Sequence, residues 1–274
     1  MSGKIYLVAT PIGNLEDMTL RAIRILKEVD LIAAEDTRNT LKLLNHFEIS
    51  KPLISYHRHN EEIKVDNLIE KVKNGENIAV VSDAGTPGIS DPGEVIVKEA
   101  IKNKIEVIPI PGACAAINAL IASGLNTKEF AFFGFLPLNK KLRKEKLEVI
   151  KKETKTTIIY EAPHKLKTTL EDLEKILENR HIVLARELTK IHEEFIRGTV
   201  TDIINIVDSL KGEFVIIIEG GEKQREENEL NGLSLKEHYK LYEEQGYDKK
   251  EIIKRIAKDR NVNKIEIYMH FLDK

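Results

Sequence analysis

One cysteine in 274 residues, Cys114, excludes an intrachain disulfide and a cysteine-built metal centre, and it suits a reducing compartment. No apolar run approaches the roughly 18 residues of a membrane helix. The opening Met1-Ser2-Gly3-Lys4-Ile5-Tyr6-Leu7-Val8 has neither the long apolar centre nor the cleavage site of a signal peptide. A cytoplasmic protein without a membrane partner is expected. An excess of one charge is also lacking: 43 Lys and Arg face 45 Asp and Glu, so the whole chain is not an obligate polyanion binder. No Gly-Lys-Ser/Thr closes a phosphate loop, and the Gly-x-Gly-x-x-Gly pattern is absent. Nucleotide hydrolysis and NAD chemistry lose their support. With 42% hydrophobic and 32% charged residues, disorder and collagen-like repeats are excluded too.

What is present reads as α/β. β-Branched runs at Lys4–Ala9, Leu31–Ala34, Pro52–Ser55, Asn77–Val81 and Glu106–Pro109 alternate with helical patterns, the signature of a largely parallel sheet. Ala22, Ile25, Leu26 and Val29 repeat at helical spacing after a cap expected at Asp17, and Ile63, Leu68, Ile69 and Val72 share one side of a helix running from Asn60 to Asn74-Gly75. A small-residue helix, Ala113–Ser123, opens a second region. Its strands are expected at Phe130–Phe135, Thr156–Glu161, His181–Arg186, Glu193–Gly198 and Glu213–Glu219, with helices near 140–152, 165–178 and 201–210. The strands at 181–186 and 193–197, joined by a short polar loop, suggest an antiparallel pair and hence a mixed sheet. Residues 220–233 have the composition of a linker. Beyond it, Ile252, Ile253, Ile256 and Ala257 lie on one helix and Val262, Ile265, Tyr268, Met269 and Leu272 on the next, with a turn at Arg260-Asn261. That tail resembles a helix-turn-helix, which either packs or touches nucleic acid. The expected domains are 1–112, 113–222 and a helical 230–274.

The most unusual segment is Ser82-Asp83-Ala84-Gly85-Thr86-Pro87-Gly88-Ile89-Ser90-Asp91-Pro92-Gly93, directly after an apolar strand. Ligands of open α/β sheets bind beyond the carboxyl ends of strands, where glycines admit close backbone approach and prolines hold loop shape. Thr10-Pro11-Ile12-Gly13-Asn14-Leu15 and Pro109-Ile110-Pro111-Gly112-Ala113 repeat the construction at other strand ends, so the three loops should share one site. The helix that follows would turn its amide-rich N-terminus toward that site, as suits a carboxylate. Cys114 reads as a small apolar residue rather than a nucleophile. In residues 140–152, Lys140, Lys141, Arg143, Lys144, Lys146, Lys151 and Lys152 outnumber Glu145 and Glu148, giving either a solvated helix face or a phosphate-backbone contact.

Five segments together resemble one family. They are Ala9-Thr10-Pro11-Ile12-Gly13-Asn14-Leu15-Glu16-Asp17, Ala34-Glu35-Asp36-Thr37-Arg38, the Ser82–Gly93 loop, Tyr160-Glu161-Ala162-Pro163-His164 and Ala185-Arg186-Glu187-Leu188-Thr189-Lys190. The chain is similar, over roughly residues 3 to 220, to the small-subunit ribosomal RNA 2′-O-methyltransferase I family, a branch of the tetrapyrrole methylases. The resemblance implies two α/β domains of the class III methyltransferase type with a small helical domain, in a homodimer that binds S-adenosylmethionine in an interdomain cleft. It implies methylation of the ribose 2′-hydroxyl of a cytidine in the decoding region of 16S rRNA, within the small ribosomal subunit. Positions matching the family's motifs place the cofactor against Pro11, Asp83, Ala84, Gly85, Thr86, Pro87, Ala113 and Cys114, with Glu161 and Leu188 closing the other side. Where the wider superfamily has Pro-Gly-Pro-Ser-Ala, this chain has Pro111-Gly112-Ala113-Cys114-Ala115, so backbone contacts are what carries over there.

For the chemistry itself, a ribose hydroxyl is a poor nucleophile while protonated, and a sulfonium departs neutral, so positioning dominates. A base adds typically about 10² to 10⁴. Candidate acid–base and positioning residues follow the second and third strands: Glu35, Asp36 and Arg38, then His57, His59, Asn60 and Glu61. The acidic pair beside Arg38 either orients a ribose and accepts its proton while the arginine holds a phosphate, or simply braces the fold. His57 and His59 would point to opposite faces of an extended segment. No further ligand accompanies them, and no metal is expected. The rival readings are methylation of a tetrapyrrole of the precorrin type or of a modified histidine, and a non-catalytic RNA-binding ribosome-assembly factor. The basic segment, the Ala34–Arg38 motif and the tail favour RNA.

Overall fold

The computed structural model describes residues 2–177, 179–222, 229–260 and 262–271. Residues up to Gly221 form one compact unit, and Glu222 onward a second.

In the first unit, β1 (Ile5–Val8), β2 (Leu31–Ala34), β3 (Leu53–Ser55), β4 (Ile78–Val81) and β5 (Val107–Ile110) form a parallel sheet in the order β3-β2-β4-β1-β5. Helices α1 (Leu20–Glu28) and α2 (Thr37–His46) cover one face, α3 (Glu61–Lys73) and α4 (Glu94–Lys102) the other. Strand alternation divides the core accordingly: Ile32, Ala34, Ala79 and Val81 pack with Ile25, Leu26 and Leu44, while Leu31, Ala33, Ile78 and Val80 pack with Leu68, Val72 and Ile96. Burial on both faces explains why these strands read as continuous apolar runs.

Helix α5 (Ala115–Ser123) leads into the second sheet, β6 (Phe130–Phe135), β7 (Thr156–Glu161), β8 (His181–Arg186), β9 (Glu194–Thr199) and β10 (Phe214–Ile218), ordered β6-β7-β10-β8-β9. Only β6 and β7 are parallel; the other pairs, including the expected β8–β9 hairpin, are antiparallel. Helices α6 (Lys140–Lys152), α7 (Leu166–Leu177) and α8 (Val200–Ile204) cover one face. The other face is covered by α5, whose Ala116, Ala119 and Leu120 sit on Ile158, Val183, Val215 and Ile217.

Several sequence expectations need correction. The cap of α1 is Thr19, whose hydroxyl accepts the amide of Ala22 at 3.1 Å, and Asp17 lies in a preceding 3-10 turn. Ile63 is 81% exposed, and Val65 takes its place on the buried side of α3. Helix α5 begins at Ala115, because Cys114 is its extended N-cap. Helices α2 and α4 were not anticipated; α2 buries only Thr40 and Leu44, so its period is nearly silent in the sequence.

In the second unit, α9 (Leu235–Glu244), α10 (Lys249–Asp259) and α11 (Lys264–His270) pack around Tyr242, Ile252, Ile253, Ile256, Ala257 and Ile267. The α10 face is the one expected, and α9, with its Ser234–Glu237 capping box, adds a third helix. The α11 face is not: Val262, Ile265, Tyr268 and Met269 are exposed and Ile267 is buried instead. Leu272, Asn261 of the expected turn and residues 223–228 of the expected linker lie outside the described residues. Among the described residues no helix is long and apolar enough to cross a membrane.

Candidate active site

The strand order puts the ends of β4, β1 and β5 side by side, and the three Gly/Pro loops meet there. Thr10 and Gly85 exchange backbone hydrogen bonds of 2.8 and 3.0 Å. The Thr10 hydroxyl donates to the carbonyl of Ser82 at 3.2 Å, and that of Thr86 to the carbonyl of Ala113 at 3.0 Å. Gly85 is left-handed, with φ of 81°, and a Cβ there would lie 3.2 Å from Ile12, so glycine is what lets the loops close.

A cavity of about 350 Å³ opens beyond these loops, between the two sheets. On the first-sheet side it is lined by Ile12, Ala84, Gly85, Thr86, Asp91 and Cys114, and on the second-sheet side by Phe135, Tyr160, Glu161, Leu188, Glu213 and Phe214. The two sides touch through specific fittings. Gly134, in a bulge of β6 with φ of 62°, makes room for Ser90: a Cβ on it would lie 2.9 Å from the Ser90 hydroxyl. The Tyr160 hydroxyl accepts the amide of Ala116 at 3.0 Å, so one of the N-terminal amides of α5 is already used. Burial, chiefly, holds the Tyr160 phenol well above its ordinary value.

Of the residues expected to hold a cofactor, Ala84, Gly85, Thr86, Cys114, Glu161 and Leu188 line this cavity. Pro11 and Asp83 instead line a second cavity of about 310 Å³, with Asn14, Asn39 and Lys42. Pro87 and Ala113 line neither; Ala113 serves through its carbonyl. The second-sheet carboxylate is committed: Glu161, 4% exposed, accepts the Thr169 hydroxyl and the amide of Ala162.

None of Glu35, Asp36, Arg38, His57 and Glu61 lines the main cavity. Glu35 accepts the amide of Asp83 at 3.2 Å, and the Asp83 carboxylate accepts the amide of Asp36 at 3.0 Å and the Asn39 side chain at 3.2 Å. Asp36 caps α2 and forms a bidentate pair with Arg38, which drives its pKa down to about 2 through the Arg38 hydrogen bonds. Such a carboxylate is a poor base. The Arg38 side chain, held by Asp36, is 87% exposed.

The segment after β3 turns rather than extends, so the His57 and His59 rings stand 6.0 Å apart edge to face instead of pointing to opposite sides. Asn60 holds the turn by accepting the amide of His57 at 2.9 Å. Among the described residues, no hydrogen-bond partner reaches the buried His57 Nδ1 or Glu61 Oε2, and the buried Tyr56 hydroxyl lies within electrostatic reach of Glu61. Among the described residues no group of three His, Cys, Asp or Glu is arranged to hold a metal ion.

Asp91 belongs to the Ser82–Gly93 loop. It lines the main cavity half-buried, and burial pushes its pKa up to about 7, with Glu35 and Asp83 adding to the effect and Arg58 opposing it. The sequence signal for it was a carboxyl inside the longest Gly/Pro loop.

Seven cations were grouped at 140–152, but two are engaged. Arg143 pairs with Asp172 at 2.8 Å, and Lys146 lies over the Phe133 ring. Lys140, Lys141, Lys144, Lys151 and Lys152 are exposed on α6 and make no ion pair among the described residues.

The family of tetrapyrrole (corrin/porphyrin) methylases matches residues 4–204. A protein of Halalkalibacterium halodurans named ribosomal RNA small subunit methyltransferase I is 54% identical over 270 residues, 97% of this chain and 93% of its own length. Its namesake in Bacillus subtilis is 52% identical over 271 residues, with the same coverage of 97% and 93%. The fold is shared with uroporphyrin-III C-methyltransferase from Thermus thermophilus, solved in complex with S-adenyl homocysteine, at a TM-score of 0.55 and 16% identity, covering 79% of this chain and 97% of that one. The chain belongs to the tetrapyrrole methylase family, in the branch of the ribosomal RNA small subunit methyltransferases I.

Proposed function

We propose that this chain methylates the ribose 2′-hydroxyl of a cytidine in the decoding region of 16S rRNA, using S-adenosylmethionine. The observation that carries the cofactor is the charge of the main cavity: among the described residues its ionisable lining includes the carboxyls Asp91, Glu161 and Glu213 and no Lys, Arg or His. That lining suits a cation such as a sulfonium and opposes a nucleoside polyphosphate. Apolar Ile12, Leu188 and Phe214 offer walls for a nucleoside base, and the backbone of Ala84–Thr86 and the start of α5 offer polar contacts. The residues therefore fit the cofactor. When bound, S-adenosylmethionine supplies a methyl group whose carbon–sulfur bond breaks with its electron pair going to sulfur, leaving a neutral thioether.

The chain's own work is to position and to exclude water. Glu35 and Asp83 hold the loop that forms one wall, Asp36 fixes Arg38 at the start of α2, and the exposed guanidinium of Arg38 is placed to hold an RNA phosphate. The lysines of α6 track the RNA backbone. His57 and Glu61 are assigned to support of the neighbouring turn. RNA is favoured over a tetrapyrrole because the named relatives at 52–54% identity are ribosomal RNA methyltransferases. On this reading the chain works as a cytoplasmic homodimer on the small subunit, with domains 1–112, 113–222 and 230–274, the last capturing RNA.

The test is tritium transfer from labelled S-adenosylmethionine to small subunits lacking the modification, with naked 16S rRNA and a tetrapyrrole precursor in parallel, followed by nucleoside analysis. Label in 2′-O-methylcytidine is expected. Label confined to the tetrapyrrole overturns the RNA substrate.

A further inference from the structure

The carboxylates around the cleft are nearly all engaged. Glu35 accepts from Asp83, Asp36 is held by Arg38, and Asp83 accepts from Asp36 and Asn39. Glu161 accepts from Thr169 and Ala162, and Glu213 pairs with Lys190 at 3.1 Å. Asp91 is the exception: among the described residues no hydrogen bond or ion pair reaches its carboxyl group, which faces the cavity from a half-buried position.

Its placement is fixed from several sides. Ser90, immediately before it, is left-handed with φ of 62°, and Arg58 donates to the Ser90 carbonyl from the turn after β3. Gly134 leaves the space that the Ser90 side chain occupies. A non-glycine residue holds that conformation at a cost in free energy that the surrounding structure must offset. The cost is borne to aim a carboxyl group that the fold itself does not use.

We propose that Asp91 is the proton acceptor of the methyl transfer, its carboxylate taking the proton of the ribose 2′-hydroxyl. The proposal rests on the ribose-methylation reading above. The O2′–H bond breaks toward Asp91 Oδ as O2′ bonds to the methyl carbon, the electron pair of the broken carbon–sulfur bond remains on sulfur, and the proton then leaves Asp91 for water. Charge balances: a cationic sulfonium and an anionic carboxylate give a neutral thioether and a neutral acid.

The groups acting on Asp91 suit that task. Burial chiefly raises its proton affinity, Glu35 from the end of β2 and Asp83 on its own loop add to this, Arg58 from the turn before α3 lowers it, and Tyr160 of β7 interacts with it across the cavity. Glu161 and Glu213 share the cavity wall. A base poised near neutrality is about half ionised at pH 7 and still holds a proton well.

The experiment compares wild type, Asp91→Asn and Asp91→Glu. Single-turnover methylation by wild type should rise with pH to a plateau, with its midpoint near neutrality. Asp91→Asn should lose about 10²-fold or more and the pH dependence with it, while Asp91→Glu recovers part of the rate. S-adenosylhomocysteine and RNA affinities of Asp91→Asn, by calorimetry and filter binding, should remain close to wild type.

A readout independent of turnover comes from stability. A carboxyl whose folded pKa lies above its unfolded one costs nothing below the unfolded value, and destabilises progressively as pH rises to the folded value. Wild type and Asp91→Asn should therefore melt alike near pH 4, with the variant the more heat-stable at pH 8. Asp91→Asn that keeps more than a tenth of the wild-type rate overturns the proposal, as does equal loss of cofactor affinity. Wild type that labels no ribose overturns the ribose reading and this assignment together, which separates that failure from an active Asp91→Asn.

Discussion

Glu35 and Asp83 clasp two neighbouring strand ends: Glu35 takes the amide of Asp83 at 3.2 Å, and Asp83 reaches back to take the amide of Asp36, next to Glu35, at 3.0 Å. Asp83→Ala leaves that amide and the Asn39 side chain without their acceptor. Stability should fall by about 1 kcal/mol in urea unfolding. S-adenosylhomocysteine binding should weaken severalfold, because Ala84–Thr86 continue the same loop; unchanged affinity would detach the clasp from the site.

Tyr160→Phe tests the junction between β7 and α5. The ring and its edge contacts with Phe132 and Phe135 remain, while the amide of Ala116 loses its acceptor. A loss of about 1 to 2 kcal/mol is expected. Loss of a larger order would mean that the ring packing had changed too.

Gly134→Ala should cost about 1 to 3 kcal/mol, from a left-handed alanine and from its Cβ pressing on the Ser90 hydroxyl. Adding Ser90→Ala removes the second cause but not the first. A double-mutant cycle should therefore show partial recovery; strict additivity would mean that the two residues do not meet.

The helical unit carries its own pH dependence. His238 is fully buried, its Nδ1 accepts from Arg260 Nε at 3.2 Å, and its Nε2 stands 3.2 Å from Asp259, the arrangement of a neutral ring with its proton on Nε2. Burial, followed by the charge of Arg260, lowers its pKa below the ordinary 6.5, against the pull of Asp259. The unfolded chain then binds the extra proton first, so the unit is fully stable above pH 6.5 and loses stability as pH falls below it. Amide exchange across α9–α11 should accelerate at pH 5 beyond its intrinsic pH trend. Protection that increases on acidification would contradict the assignment.

Much of the fold was visible in the chain because its strands are apolar runs and its loops are glycine-rich. The limits of β6, β7 and β8 match the expected residues, and the three loops do converge. What stayed hidden has physical causes. Helix α2 presents Thr40 to the core, so no apolar period marks it. The α11 face was misassigned because Ile265, Tyr268 and Met269 are apolar yet exposed. Around the cleft, residue type alone does not tell a committed carboxylate from an open one: Asp36 looks like a base until its pairing with Arg38 is seen, and Asp91 looks like a turn residue until its surroundings are.

The place of β1 governs how the molecule comes into being. This first strand is interior to the sheet, yet its partners are β4 and β5, with Ile5 opposite Ile78 and Val107. At ordinary elongation rates of about 5 to 20 residues per second, it waits roughly 5 to 20 seconds on the ribosome for the second of them. Until then Ile5–Val8 is an apolar segment with at least one unpaired edge, the kind that holding chaperones protect. The loop it carries takes shape only when the first sheet closes, and the cleft only after β10 has followed, because Glu213 and Phe214 line its far wall; a nascent chain therefore acquires its binding cleft late.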